Sequence, residues 1–414
     1  MGHDAASASS VSMAPPVPIG LRLNLSVMMF LQFAIWGAWF VFLTIYLEAL
    51  NFDKVAIGSI GATMALGSIF SPIFVGQIAD RYFSSERLMA LLHLAGAGLL
   101  YWMAQTTTSF EFYWVALAYA LVYSPTLTLC NSIAFTHLPN GERDFPSIRV
   151  LGTLGWIVAG IIVDVAFIKE TNQPILLAAV LSAMLGIYSF LLPHTPPTGK
   201  AGDAVPFLKA IGLLKEFSFA VFYGVSFVIT IVLAFYYGWT SLYLKQHLEV
   251  QKIGSTMGIG QWAELILLPF LPFFLARFGM KWVLAIGMLA WGVRYGIFAL
   301  GQPYWLVIAS LALHGVCFDF FFAAGFIHVD NKSPANIRAS AQALFGFLTY
   351  GAGMWLGGEL SGLVAKQYTD PATDRIQWSS FWTVPSIGVL ISLAIFVIFF
   401  RDTGKVRQTD KSAP

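Results

Sequence analysis

Long apolar runs dominate the chain, and short polar turns separate them. Twelve runs are long enough for a helix that crosses a lipid bilayer, which needs about 20 mostly apolar residues. They cover residues 23–48, 56–79, 87–106, 111–136, 147–167, 175–192, 217–243, 255–276, 282–300, 303–329, 338–363 and 378–400. The runs are continuously apolar and do not alternate, which excludes a β-barrel. The pattern predicts an all-α membrane protein with twelve transmembrane helices.

Composition supports this interpretation. Of the 414 residues, 57% are hydrophobic and only 11% are charged, whereas soluble domains carry roughly 25% charged residues. This deficit excludes a soluble enzyme, a nucleic-acid-binding protein and a disordered chain. The formal net charge of +2 is too small to indicate a polyanionic partner. Both cysteines, Cys130 and Cys317, lie in apolar runs, so we expect neither a disulfide framework nor a metal site.

Lysine and arginine positions predict the orientation. Most of the 23 lie in segments on the same side of the membrane as the N-terminus, so both termini are expected in the cytoplasm. The predicted organisation is a disordered cytoplasmic tail (1–20), a six-helix half (21–192), a cytoplasmic linker (193–216), a second six-helix half (217–400) and a cytoplasmic tail (401–414). Alanine, serine and proline fill the first tail without a basic region, which is not the pattern of a signal peptide.

The two halves repeat each other. Pro146 and Arg149 open a helix of small residues after the fourth run, and Pro334 and Arg338 do the same after the tenth. Two pseudo-symmetric six-helix halves in parallel repeat are the architecture of the major facilitator superfamily, whose substrates bind near the midplane between the halves.

The loop after the second run carries a further similarity to that superfamily. The stretch GQIADRYFSSER resembles its loop signature. We predict that Gly76, Asp80 and Arg81 form a conformational gate, in which Asp80 caps a helix or pairs with an arginine in one conformation only. The alternative is an ordinary charged turn.

Charged residues inside the apolar runs are the strongest functional candidates, because a charge at the bilayer centre costs about 2.5–3.5 kcal/mol. Glu264 and Asp319 both lie well inside their runs, and Gln261 is one helical turn before Glu264 on the same face. Arg294 is expected to be the electrostatic partner of the two carboxylates. The alternative is a structural ion pair between helices. Asp164 and Glu359 lie nearer the ends of their runs, where they can reach a polar surface.

Further polar and aromatic side chains complete the predicted binding site. Arg149 and Thr153 share a helix face, with Trp156 one position further round. The other candidates are Gln32, Asn131 and His314. Aromatic rings, amides and carboxylates together suit a neutral ligand with a flat ring and hydroxyl groups.

Segments spread over the chain resemble the nucleoside:H+ symporters, the enterobacterial-type nucleoside permeases of the major facilitator superfamily. They are LQFAIWGAWF, YSPTLTLCNSIAF, DFPSIRVLGTLGW, GQWAEL and GVCFDFFFAAGFIHVDNKSPANIRASAQ. The resemblance implies proton-driven nucleoside uptake by alternating access. The family's substrate-site positions fall on Arg149, Thr153, Gln261, Glu264, Phe318 and Asp319, and Asp319 and Glu264 are the candidates for proton coupling.

Two departures bear on the substrate. The middle of the seventh run, IVLAFYYGWTSLYL, has no asparagine or glutamine, and His314 occupies the position of a tyrosine. A symporter of another polar, hydroxylated metabolite therefore stays open as the alternative. The fifth run has no Gly-Pro pair, which disfavours an exporter, and no catalytic motif favours an enzyme. We expect a monomer of the bacterial inner membrane whose partners are a nucleoside, protons and lipid, without a cofactor or nucleic acid.

Overall fold

A computed structural model describes residues 15–71, 83–197 and 205–402, and the regular structure in these ranges is helical apart from one isolated bridge between Thr369 and Ile376. The predicted all-α fold class is confirmed for this part of the chain. The predicted gate residues Gly76, Asp80 and Arg81 lie outside the described residues, as do most of the two tails. The predicted linker contains a 3-10 helix at Pro206–Lys215.

The first half of the molecule consists of seven described helices. These are α1 (Ile19–Trp39), α2 (Leu43–Ala49), α3 (Lys54–Ser71), α4 (Ser85–Met103), α5 (Ser109–His137), α6 (Gly141–Ala166) and α7 (Gln173–Tyr188). Pro125 and Pro146 lie inside α5 and α6.

The second half follows the linker and has more interruptions. Its helices are α8 (Phe217–Gln246), α9 (Ile253–Leu267), α10 (Leu271–Leu300), α11 (Tyr304–Ser310), α12 (Leu313–Phe318), α13 (Ala324–Lys332), α14 (Arg338–Gly346), α15 (Met354–Gln367) and α16 (Trp378–Phe399). Gly279 breaks α10 with a φ of 75°, a conformation that glycine adopts without steric cost. Two π-helical turns, Asp319–Ala323 and Phe347–Gly353, join α12 to α13 and α14 to α15.

Eight stretches of the described chain are long and apolar enough to cross a membrane. They are Ile19–Ala49, Ser109–His137, Arg143–Ala166, Gln173–Leu191, Phe217–Gln246, Ile253–Leu300, Tyr304–Lys332 and Trp378–Phe399. Large apolar side chains are exposed on them, such as Val165 and Ile398, as expected of surfaces that face lipid. Each predicted run contains helix, but the count of twelve spans stays a prediction.

Loop contacts define two ends of the bundle. At the terminal end, α1 begins and α16 ends, and Asn24 donates from its amide to the Leu191 carbonyl at 3.1 Å. At the opposite end, Lys54 pairs with Asp374 at 3.3 Å and Lys366 pairs with Asp53 at 3.3 Å. These two ion pairs each join the first half to the second.

Glycines let the two halves approach closely. A Cβ atom on Gly58 of α3 would lie 2.6 Å from the carbonyl oxygen of Gly358 on α15, and one on Gly254 of α9 would lie 2.4 Å from that of Gly160 on α6. These backbones touch where a side chain would not fit. The contacts lie nearer the opposite end and bring α6 and α9, which carry five of the ten predicted binding-site residues, side by side.

Candidate functional site

The predicted carboxylates Glu264 and Asp319 lie near the point where α9 crosses α12. A Cβ atom on Gly315 would lie 2.6 Å from the carbonyl carbon of Ala263, so only glycine permits this crossing. Glu264 is half-buried and Asp319 is buried, and their carboxylates interact electrostatically. The Oδ2 atom of Asp319 has no hydrogen-bond partner among the described residues. The site therefore contains two acids on neighbouring helices, and one carboxylate oxygen of Asp319 has no hydrogen-bond partner among the described residues.

Arg149 of the first half supplies the positive charge near this acidic pair. Its guanidinium lies 4.0 Å from the centre of the Phe33 ring on α1, a cation–π contact that fixes its orientation. Arg149 and Glu264 interact electrostatically across the interface of the halves. Thr153 and Trp156 follow on the next turns of α6 and are half-buried.

The close packing of α1 against α6 places Arg149 over Phe33. A Cβ atom on Gly155 would lie 2.1 Å from the Phe30 carbonyl oxygen, and one on Gly37 would lie 2.5 Å from the Trp156 carbonyl oxygen. Two helices that approach this closely hold their side chains rigidly. The first-half candidates on α6 therefore sit on a fixed frame.

The predicted pairing of Arg294 with the carboxylates is wrong. Arg294 is fully buried on α10, and its guanidinium lies 4.0 Å from the centre of the Tyr236 ring and 5.2 Å from that of Tyr295. No ion pair of Arg294 with a carboxylate occurs in the part of the chain that the structure describes. The aromatic faces compensate its charge instead.

His314 and Phe318 lie one turn apart next to Asp319. The His314 ring is fully buried and stacks on Tyr236 with centroids 5.2 Å apart, and its centroid is 5.8 Å from that of Phe318. Gln261 lies one turn before Glu264 on α9 and is half-buried. The structure thus brings Gln261, Glu264, His314, Phe318 and Asp319 together in the second half.

The two remaining candidates belong to the first half alone. Gln32 is fully buried, and both ends of its amide have partners: Nε2 donates to Thr126 Oγ1 at 2.8 Å, and Oε1 lies 2.9 Å from His93 Nε2. Asn131 on α5 is half-buried, and its Oδ1 atom has no partner among the described residues.

Two tyrosines near Glu264 were not predicted as site residues. Tyr237 on α8 and Tyr350 in the second π-helical turn both interact electrostatically with the Glu264 carboxylate. Tyr237 lies in the seventh run, and the aromatic residues of that run are a signal in the sequence that could have indicated it. Tyr350 lies in a π-helical turn, where the 3.6-residue periodicity fails, so no sequence pattern assigns it to the site.

The two halves face each other across a small space towards the opposite end. There, a cavity of about 30 Å³ is lined by residues of both halves, including Phe40, Thr44, Tyr237 and Gly358. This volume holds about two water molecules. The Thr44 hydroxyl also donates to the Gly238 carbonyl across the interface.

Comparisons with known proteins agree with this fold. A family model described as "Nucleoside H+ symporter" matches residues 19–405. The chain is 41% identical over 399 residues to the putative nucleoside transporter YegT of Escherichia coli K12, covering 92% of this chain and 94% of that protein. It is 32% identical over 405 residues to the nucleoside permease NupG of the same organism, covering 92% and 96%.

A solved structure gives the same result. The crystal structure of the nucleoside transporter NupG matches with a TM-score of 0.86 and 30% identity, covering 93% of this chain and 100% of that one. The fold is therefore that of a major facilitator transporter, as the sequence predicts. The chain belongs to the nucleoside H+ symporter family.

Proposed function

We propose that this protein takes up nucleosides together with protons, and that Glu264, Asp319 and Arg149 form the centre of the coupling site. The observation that carries the proposal is the placement of two acids of the second half near the crossing of α9 and α12, while the cation of the first half lies on α6, the helix that packs against α9. Since alternating access moves one half against the other, a charge contact across their interface changes during each cycle. The family favours a nucleoside over another polar, hydroxylated metabolite as the substrate.

The substrate contacts follow from the chemistry of the side chains. Trp156 and Phe318 supply rings that can stack on a flat base. Gln261 and Asn131 offer amides that read the edge of a base, and Thr153 offers a hydroxyl group. Carboxylates accept hydrogen bonds from paired ribose hydroxyls, a role open to Glu264 or Asp319. Gln32 supports the first half through its bonds to Thr126 and His93.

The acidic pair provides a physical basis for proton coupling. Glu264 and Asp319 repel each other when both are ionised, and a proton on either one removes the repulsion. The unused Oδ2 of Asp319 offers a place for that proton. A proton bound from outside would then favour nucleoside binding, and its release inside would restore the repulsion.

The membrane arrangement completes the proposal. We infer a bacterial inner-membrane monomer with twelve spans, six in each half, and with both termini in the cytoplasm. The opposite end, where Lys54–Asp374 and Lys366–Asp53 join the halves, would then face outwards. The observed conformation would be closed to the outside. The gate predicted at Gly76, Asp80 and Arg81 would lie at the cytoplasmic end.

The test is uptake of labelled uridine and adenosine into proteoliposomes, with and without an inward proton gradient. We expect wild type to accumulate both when the gradient is present. Asp319→Asn should abolish accumulation, because an amide cannot exchange a proton, while nucleoside exchange without a gradient persists. Asp330→Asn is the matched control, since Asp330 is partly exposed near the terminal end and bonds to Gln342 at 2.7 Å. Gradient-driven accumulation by Asp319→Asn at the wild-type level would contradict the role of Asp319.

A further inference from the structure

Arg294 has an unusual environment for a buried cation. Its side chain is fully buried between the rings of Tyr236 and Tyr295, as described above. Cation–π contacts compensate the charge but use none of the five N–H donors of a guanidinium. Among the described residues, these donors have a ring nitrogen of His314 as a hydrogen-bond partner, and the Tyr295 hydroxyl also lies nearby.

The contact between Arg294 and His314 determines which ring nitrogen carries the proton. Arg294 Nη1 lies 3.2 Å from His314 Nδ1. Since arginine can only donate, Nδ1 must accept the hydrogen bond. A proton on Nδ1 would point a second donor at the guanidinium. The neutral ring therefore carries its hydrogen on Nε2, and His314 is an N–H donor on that side.

That donor has no partner in the part of the chain that the structure describes. His314 Nε2 makes no hydrogen bond among the described residues, although the side chain is fully buried. The ring cannot easily turn away, because it stacks on Tyr236 at 20° between planes and fills the space that Gly260 leaves on α9. Buried donors are nearly always paired, so an unpaired one calls for a missing partner.

The position of His314 identifies that partner. Phe318 and Asp319 follow one turn later, and a Cβ atom on Gly260, next to Gln261, would lie 3.3 Å from His314 Cδ2, the carbon bonded to Nε2. The free N–H thus belongs to a ring that borders the proposed site. We propose that Arg294 is a positioning residue that fixes His314 as a hydrogen-bond donor to an acceptor atom of the nucleoside. The inference rests on the proposed function and adds Arg294 to the residues that set substrate affinity.

The test compares uridine uptake by wild type with four variants: Arg294→Met, Arg294→Lys, His314→Phe and the double variant Arg294→Met/His314→Phe. Methionine keeps the packing on the tyrosines without the donor, and phenylalanine keeps the ring stack without either nitrogen. If Arg294 acts through His314, Arg294→Met raises KM roughly tenfold, the size of one lost hydrogen bond to substrate. The maximum rate should change less. Arg294→Lys retains a donor and should recover part of the affinity.

The double variant separates positioning from a merely structural role. Once His314 is phenylalanine, removing Arg294 should raise KM no further. An equal rise in both backgrounds would overturn the inference. Should Arg294→Met not fold, as judged by thermal unfolding of the purified protein, His314→Phe decides: a wild-type KM would exclude the donor role. Failure of the proposed function is a separate outcome, because it would appear as no gradient-driven uptake by wild type.

Discussion

Arg149 is the residue on which nucleoside affinity should depend most among those of the first half. Its cation lies over Phe33 at 4.0 Å and interacts with Glu264 across the interface. Arg149→Gln removes the compensation for a half-buried carboxylate, and uncompensated charge in a membrane site is expensive. We expect the KM for uridine to rise about tenfold or more, equivalent to at least about 1.4 kcal/mol. Arg149→Lys should recover only part, because lysine lacks the planar stacking face.

The internal repeat offers a control for this variant. Arg338 is the counterpart of Arg149 in the second half, but its side chain is 48% exposed and lies 3.8 Å from Asp330. Exposed pairs of this kind contribute little, so Arg338→Gln should transport uridine with the wild-type KM. A normal KM for Arg149→Gln would remove Arg149 from the proposed site.

At the residue scale, the sequence revealed the acids but not their partner. The sequence indicates Glu264 and Asp319 because an ionisable group in an apolar run is energetically costly and is therefore a functional candidate. The sequence predicts Arg294 as their partner because it is the charge in the run between theirs. The actual neighbour, Arg149, lies far away in sequence, and which helices meet across the two halves depends on tertiary packing. Tyr350 was missed because its π-helical turn shifts the faces of the helix.

Among the helices, the contact of α6 with α9 should control closure of the opposite end. The Asp164 carboxylate of α6 accepts hydrogen bonds from the Gly254 amide at 3.1 Å and the Ser255 amide at 2.6 Å. These are first-turn amides of α9, which have no partner within their own helix. Gly254→Ala would place a Cβ atom 2.4 Å from the Gly160 carbonyl oxygen, so the two helices must separate. We expect the maximum uptake rate to fall several-fold while nucleoside binding to the purified protein persists.

Gly258→Ala on the same helix is the matched control. Its Cβ atom would meet only Ile157, at 3.8 Å, and alanine favours helix at both positions. Uptake by Gly258→Ala should therefore match wild type. Equal rates for the two alanine variants would show that close approach at Gly254 is not needed for the cycle.

Helices were predicted better than their interruptions. The apolar runs overlap every described α-helix, since burial in lipid demands about 20 apolar residues. The 3-10 helix Pro206–Lys215 lies in the predicted linker, outside the runs. The break at Gly279 and the π-helical turns depend on packing and leave no hydrophobic pattern. Asp164 and Glu359 were placed near span ends facing a polar surface. Asp164 does pair with Lys169 of the following loop at 3.5 Å. Each of the two acids also contacts the other half: Asp164 caps α9, and Glu359 accepts a hydrogen bond from the Ser59 hydroxyl.

Over the whole molecule, polar contacts hold the two halves together at the opposite end. Lys245 of the second half pairs with Glu170 of the first, beside the Lys54–Asp374 and Lys366–Asp53 pairs. The contacts named at the terminal end, such as Asn24 with Leu191, join residues of the same half. The repeat in the sequence predicts two halves. The same sequence must adopt every conformation of a transport cycle, so it does not indicate at which end the halves are joined. Only the structure shows that they are joined at the opposite end.

The pH dependence of transport should come from the acidic site and not from these surface pairs. The hydrogen bond from Lys245 lowers the pKa of Glu170 below its ordinary value of about 4.3. A carboxyl with a lowered pKa contributes its stabilisation above the ordinary value and loses it only as the pH falls through the lowered one. Between about pH 5 and pH 8, Glu170 thus stays ionised and the pair stays intact. Glu170→Gln should leave the pH profile of uridine exchange unchanged in shape, with little change in rate because the pair is partly exposed. A midpoint moved by more than about half a pH unit would show instead that closure of the outer end, and not the Glu264–Asp319 pair, senses the proton.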